Sequence, residues 1–281
     1  MGAVHGVHLK YAALSVLSAG GAWTLHPEEA VEAVAPYVVV GLLWWACAIH
    51  ALITACFLSR RGMWLLGKSH TTGVVPTWSL MLFSVFHAPT WLYTWVHTKL
   101  QKRKGCPVAS EVAPGWWIGG RYACELRGRQ WAATIDLTTE FPELCMSTSQ
   151  QYLLIPCWDG VPPTPKDIER AARFATDACD KGDVMVHCAH GKGRSTCVMV
   201  ACLVRAGLFS SWRQAFEAVR LKRRGVKLNQ KMRDALDEWQ LLFGRDGFEL
   251  NAGTAAPRAH LRPPPPRSPP TRPPNDWPPQ S

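Results

Sequence analysis

The stretch Asp183-Val-Met-Val-His-Cys-Ala-His-Gly-Lys-Gly-Arg-Ser195 decides how the rest of the chain is read. It is a short apolar run that stops at a thiol and enters a loop containing two glycines. A second apolar run, 196–205, follows directly. The first has the length of a strand and the second is apolar nearly all round, so a strand, a loop and a buried helix are predicted. Such a loop aims successive backbone N–H groups inward at a helix N-terminus, which makes a seat for an anion. Cys188 stands in that seat, where the N–H groups and the helix dipole favour a thiolate. Gly191 and Gly193 allow the tight turns. Arg194 offers a planar fork for two phosphate oxygens. The Ser195 hydroxyl can bond the sulfur and ease its departure. His187 is expected to hold the loop through its ring nitrogens. Ala189, His190 and Lys192 complete the loop, and the last two make it basic.

A thiolate that attacks phosphorus leaves a phosphocysteine for water to hydrolyse, and the departing oxygen needs a proton. Asp159 is the candidate acid, in the loop Trp158-Asp-Gly-Val-Pro-Pro-Thr164 after a strand at 152–155. That position can share a sheet edge with Cys188. A plain Asp-Gly turn is the competing reading. Asp167 reads as first-turn helix charge and Asp183 as punctuation before the strand. Further strands are expected at 116–120 and 131–137. Thr164 caps a helix with Pro165 at its first position and an apolar stripe through Ile168, Ala171, Ala175 and Ala178. Ser211-x-x-Gln214 reads as a capping box, and Asn229 caps a last helix through 243. Strands alternating with helices give an α/β domain.

His187-Cys188-x-x-Gly191-x-x-Arg194-Ser195 matches the HCxxGxxR[ST] signature of cysteine-dependent protein tyrosine phosphatases. The region 112–243 resembles their dual-specificity branch. Trp117-Ile-Gly-Gly120, Ile135-Asp-Leu-Thr-Thr-Glu140, Leu154-Ile-Pro with Asp159, and Lys227-Leu-Asn229-Gln carry the likeness. The resemblance implies a central sheet flanked by helices and a phosphatase with no metal and no cofactor. It puts Cys188, Arg194, Asp159 and Ser195 in catalysis, and His187, Ala189, His190, Gly191, Lys192 and Gly193 in the phosphate-binding loop. A Gly-Lys-Gly-Arg run also occurs in phosphoinositide phosphatases, which usually have a basic residue directly after the cysteine, where Ala189 stands here.

The 281 residues carry a formal net charge of +10, which suits anionic partners. Ten cysteines are scattered without ligand or disulfide spacing, which fits a reducing compartment. Residues 1–36 hold an apolar run after Lys10 that reads as a signal-peptide core or a membrane-apposed segment. Residues 37–98 form a membrane region. The run 37–58 lacks formal charge and is long enough for a hydrocarbon core of about 30 Å. The run 74–97 is a second expected span, interrupted by Pro76 and Pro89. Arg60, Arg61 and Lys68 lie between the runs, and Lys99, Lys102, Arg103 and Lys104 follow in a basic linker at 99–111. Two crossings put these clusters on opposite faces and a re-entrant second run puts both inside; either way the catalytic domain, 112–246, is expected to face the cytosol, since the later cluster is larger and a thiol needs a reducing compartment. From 257 on, 11 of 25 residues are proline, so 247–281 is expected to be a disordered tail able to meet an SH3- or WW-type partner.

The leading expectation is therefore a membrane-anchored dual-specificity phosphatase acting on phosphotyrosine, phosphoserine and phosphothreonine in proteins. A phosphatase for phosphatidylglycerophosphate or phosphoinositide is the alternative, and a phosphate-binding pseudophosphatase scaffold is a third. No nucleic-acid partner is expected.

Overall fold

A computed structural model describes residues 6–27, 34–126 and 128–252. The Pro-rich tail from 253 on lies outside the described residues, as do 1–5 and 28–33. Four helices come first: α1 (Val7–Thr24), α2 (Ala35–Ser59), α3 (Thr77–Leu82) and α4 (Ser84–Arg103). Then come β1 (Ala109–Ala113), β2 (Trp116–Gly120), β3 (Ala133–Thr138), β4 (Tyr152–Cys157), α5 (Pro165–Cys179), β5 (Val184–Cys188), α6 (Arg194–Arg205), α7 (Trp212–Lys222) and α8 (Gln230–Ala252).

The five strands lie in the order β1-β2-β5-β3-β4. β1 is antiparallel to β2, and the other pairings are parallel. β5 is therefore central, and its Val-Met-Val core suits a strand buried on both faces. Val184, Val186 and Cys188 join the core beneath α5–α8, whereas Met185 packs with Trp117 and Trp131 on the opposite face. The parallel strands β2, β5, β3 and β4 end at one edge, the edge where ligands gather in open α/β sheets. β1 begins inside the stretch read as linker, 99–111, and crosses into the domain, because five residues with Glu111 at their centre carry no apolar alternation. α8 runs through Ala252 into the stretch assigned to the tail, since no proline interrupts it before Pro257.

Local signals act as expected at two helix starts. Thr164 Oγ1 accepts from Asp167 N at 3.2 Å, and Asn229 Oδ1 accepts from Met232 N at 2.9 Å. The Ser211 capping box is half formed: Ser211 Oγ accepts from Gln214 N, but the Gln214 side chain instead accepts from Ser210 Oγ at 2.7 Å.

The N-terminal helices depart most from expectation. Among the described residues α2 alone is long and apolar enough, by length and composition, to cross a membrane. The second expected span is broken at Phe83 into α3 and α4. Phe83 and Phe86 are buried with Ile53, Phe57 and Leu66, so much of that run's apolar content serves protein packing.

The connector after α2 also lies against the five-stranded sheet. Lys68 is buried, pairs with Asp136 of β3, and donates to Thr138 O at 2.9 Å. Trp158 Nε1 donates to Arg61 O at 2.9 Å, and Glu143 N to Gly73 O at 2.9 Å. Two full crossings would part this connector from the catalytic domain by the thickness of a membrane. These bonds exclude that arrangement, and Lys68 is no topology-setting surface charge.

Candidate active site

Cys188 closes β5 opposite Gly120 of β2. Its sulfur accepts from Gly191 N at 3.3 Å and lies 3.3 Å from Ser195 Oγ. α6 begins at Arg194, so Arg194 and Ser195 occupy its first turn, not the loop. Burial alone would raise the Cys188 pKa. The Arg194 charge, the Ser195 hydroxyl and the N–H groups of Ser195 and Lys192 outweigh it, so the thiol lies below its ordinary value. Gly191 has φ +69°, and a Cβ there would sit 2.4 Å from Gly119 C and O. Only glycine lets the loop lie this close to β2.

The loop carbonyls point away from the sulfur. Arg223 Nε donates to Gly191 O at 2.7 Å and Nη2 to His190 O at 3.1 Å. Arg121 N donates to Ala189 O at 3.2 Å, and Lys227 N to Lys192 O at 2.9 Å. Tying the carbonyls outward leaves the N–H groups to face inward, which is the condition for an anion nest.

Arg194 is buried and held from behind. Nη1 donates to Cys157 O at 2.6 Å, Leu137 O at 3.1 Å and Glu140 Oε2 at 3.1 Å, while Nη2 donates to Glu140 Oε1 at 2.7 Å. Nε has no partner among the described residues, and Nη2 lies 3.5 Å from Asp159 Oδ1. The Nε–Nη2 edge is therefore the side open to an oxyanion, and Asp159 stands across it. Burial would raise the Glu140 pKa, but the Arg194 charge brings it below the ordinary range. Asp159 shifts the other way. Burial raises its pKa and the Glu140 charge adds to this, against opposing pulls from Arg194 and Lys10. Its side chain is still 35 % exposed, so protons can reach it.

His187 Nε2 pairs with Glu143 Oε2 at 2.6 Å and lies 3.9 Å from Asp136 Oδ1. Burial would lower its pKa, yet the two carboxylates raise it to about 9. It is thus a charged brace beneath the loop. Asp136, Glu143 and His187 bring three ligand-type atoms within 4.8 Å of one another. Lys68 on Asp136 and the protonated ring on Glu143 already balance that charge.

The loop that carries Asp159 is held from two sides. Trp158 and Val161, on either side of Asp159, pack with Phe57 and Phe86. The Trp158 ring lies 5.1 Å from Phe57 and 6.0 Å from Phe86, centroid to centroid. Gly160 O accepts from Asn229 Nδ2 at 2.8 Å, tying the loop to the α8 cap. Above the catalytic loop the N-terminal helices enclose a cavity of about 260 Å³ whose floor holds Glu140, Asp159, Ala189 and His190. On the other side of His190 a cavity of about 160 Å³ is lined by Lys192, Lys222, Arg223 and Arg224. His190 was counted among the loop's cations. Burial, then His97 and Lys192, drop its pKa to about 3, so Lys192 and Arg194 carry the loop's charge.

Sequence reasoning missed Glu140, Glu143, Arg223 and the cavity walls. Glu140 left one signal, a lone carboxylate just past an apolar strand at the carboxyl edge of the sheet.

Residues 122–241 match the family model for the dual specificity phosphatase catalytic domain. No curated protein matches the chain. Among solved structures, the chain is similar to human DUSP28 at 20 % identity, covering 48 % of this chain and 95 % of that one, with a TM-score of 0.41. A mouse putative dual specificity phosphatase complexed with zinc tungstate is 23 % identical, covering 54 % and 94 %, with a TM-score of 0.44. PTPMT1 in complex with PI(5)P is 18 % identical, covering 53 % and 100 %, with a TM-score of 0.40. Residues 122–241 are thus similar to that catalytic domain, over less than half of the chain.

Proposed function

We propose that this dual-specificity phosphatase domain hydrolyses phosphomonoesters through a phosphocysteine, with Asp159 as general acid and then general base. The Cys188 thiolate forms an S–P bond as the P–O bond to the leaving group breaks, and the Asp159 proton goes to the leaving oxygen. Water then attacks phosphorus, gives a proton to the Asp159 carboxylate and releases phosphate as the S–P bond breaks. Arg194 and the inward N–H groups hold the equatorial oxygens in both steps, and the Ser195 hydroxyl stabilises the departing sulfur. One observation carries the reading: the Asp159 carboxyl lies 3.5 Å from Nη2 of Arg194, the residue whose charge also pulls the Cys188 thiol toward the thiolate. The same observation weighs against a scaffold that binds phosphate without turning it over, since such a scaffold needs no acid of raised pKa beside the cradle.

The test is p-nitrophenyl phosphate turnover by the full chain, with acid-quench trapping of a phosphoenzyme. The native protein forms an acid-stable phosphocysteine, and Cys188→Ser forms none and releases no phosphate. Turnover by Cys188→Ser would overturn the mechanism.

A further inference from the structure

The floor of the 260 Å³ cavity holds the acid Asp159 and the loop residues Ala189 and His190, and its walls come from α1, α2 and α4. We propose that it takes the apolar part of a lipid phosphomonoester, whose phosphate meets Cys188. This rests on the phosphomonoesterase reading above and names its substrate class.

The walls set the chemistry. Val7, Leu14, Phe57, Phe86 and Pro89 face the cavity. Two of its hydroxyls are already engaged, since Tyr11 Oη and Thr90 Oγ1 bond each other at 2.9 Å. A peptide backbone entering here would lose hydrogen bonds to water without replacements, at a cost of about 1–3 kcal/mol for each group. An acyl chain carries no such group and gains by leaving water.

The outer faces of the same helices supply the source. Leu9, Val16, Leu17 and Trp23 of α1, with Leu92 and Trp95 of α4, are exposed. That apolar area exceeds what a water-facing helix needs and fits a bilayer surface. Lys99, Arg103 and Lys104 follow at the end of α4, suited to anionic headgroups, while Lys102 among them is paired with Glu125. Lys10 stands over the rings of Tyr11 and Tyr93, 4.6 and 5.5 Å from their centroids. A cation there can draw the phosphate headgroup toward the floor.

The experiment uses the full chain and monoacylglycerol phosphates of increasing chain length, each below its micelle concentration. Glycerol 3-phosphate is the chain-free reference and a phosphotyrosine peptide the rival. kcat/KM is expected to rise about two- to fourfold per added methylene until the cavity is filled, the upper figure corresponding to about 0.8 kcal/mol for each buried CH₂. Leu14→Trp, which fills the cavity, at least halves that slope; Val7→Phe serves if the first variant does not fold. A flat series in the native protein, or a peptide preferred tenfold over the longest chain, overturns the proposal. p-Nitrophenyl phosphate in the same preparation separates the failures. If it is turned over while the series is flat, only the lipid assignment falls. If neither it nor any lipid is turned over, both readings fall.

Discussion

Replacing Glu140 by Gln keeps the volume behind Arg194 and removes the charge. The native carboxylate takes two bonds from the guanidinium, at 2.7 and 3.1 Å, and both side chains are buried. An amide can accept one of them and must turn its own N–H groups toward the other donor. Removing one partner of a buried pair costs about 3–5 kcal/mol. At about 2–4 °C per kcal/mol for a chain of this size, the melting temperature should fall by roughly 10 °C. The catalytic effect is separate. If Arg194 swings from its cradle position the loss compares with that of one oxyanion donor, about 10²- to 10³-fold in kcat/KM. Two titrations should also move. The Glu140 charge helps to raise the Asp159 pKa, so the variant should lose activity at lower pH on its alkaline limb. Arg194, no longer neutralised, should lower the Cys188 pKa further, which the pH dependence of iodoacetamide labelling reads directly. A protein that was only destabilised would shift neither titration. Native-like kcat/KM within threefold, with both titrations unmoved, would show that Leu137 O and Cys157 O suffice to hold Arg194 and would refute the reasoning.

The proposed mechanism requires Cys188 as thiolate and Asp159 as acid. kcat/KM should therefore rise with pH through the lowered thiol pKa and fall through the raised carboxyl pKa. Asp159→Asn should remove the alkaline limb and slow alkyl phosphates by about 10²- to 10⁴-fold, but p-nitrophenyl phosphate much less, because p-nitrophenolate leaves without a proton; equal losses on both would reject the acid role. Lys68→Met strands the buried Asp136 carboxylate and should cost about 3–5 kcal/mol in thermal or urea unfolding, with part of the loss recovered in Lys68→Met/Asp136→Asn. A melting point unchanged in Lys68→Met would deny the packing of the connector on the sheet.

What could be read from the sequence was local. Cys188, the glycines, Arg194 and Ser195 are contiguous, and their roles follow from strand, turn and helix start, which neighbouring residues decide. Glu140 and Arg223 act on that loop from other elements, Glu140 from just past the end of β3 and Arg223 from beyond α7; the place of Glu140 after a strand is the one local sign, and nothing nearby in sequence marks Arg223. Hydropathy misjudged 74–97 for a different reason. Phe83 and Phe86 are as apolar in a protein core as in lipid, and a scale that scores transfer from water cannot tell the two destinations apart. Lys68 was misjudged likewise, because a connector charge looks the same whether it faces headgroups or the carboxylate of Asp136.

The placement of Trp158 joins the two halves of the molecule. It lies in the N-terminal core with no exposed surface, while the adjoining Asp159 forms part of the cavity floor. Burying such a ring is worth about 3–5 kcal/mol, judged by what its truncation costs. That energy comes from the contacts with Phe57 and Phe86 and the bond to Arg61 O, all supplied by residues before β1. Asp159 is thus positioned by the helical layer as much as by the sheet. The same layer presents apolar side chains outward and walls the cavity above the thiol. In this chain the N-terminal helices are accordingly a part of the candidate site, and anything that shifts them against the sheet must also move Asp159 relative to Arg194.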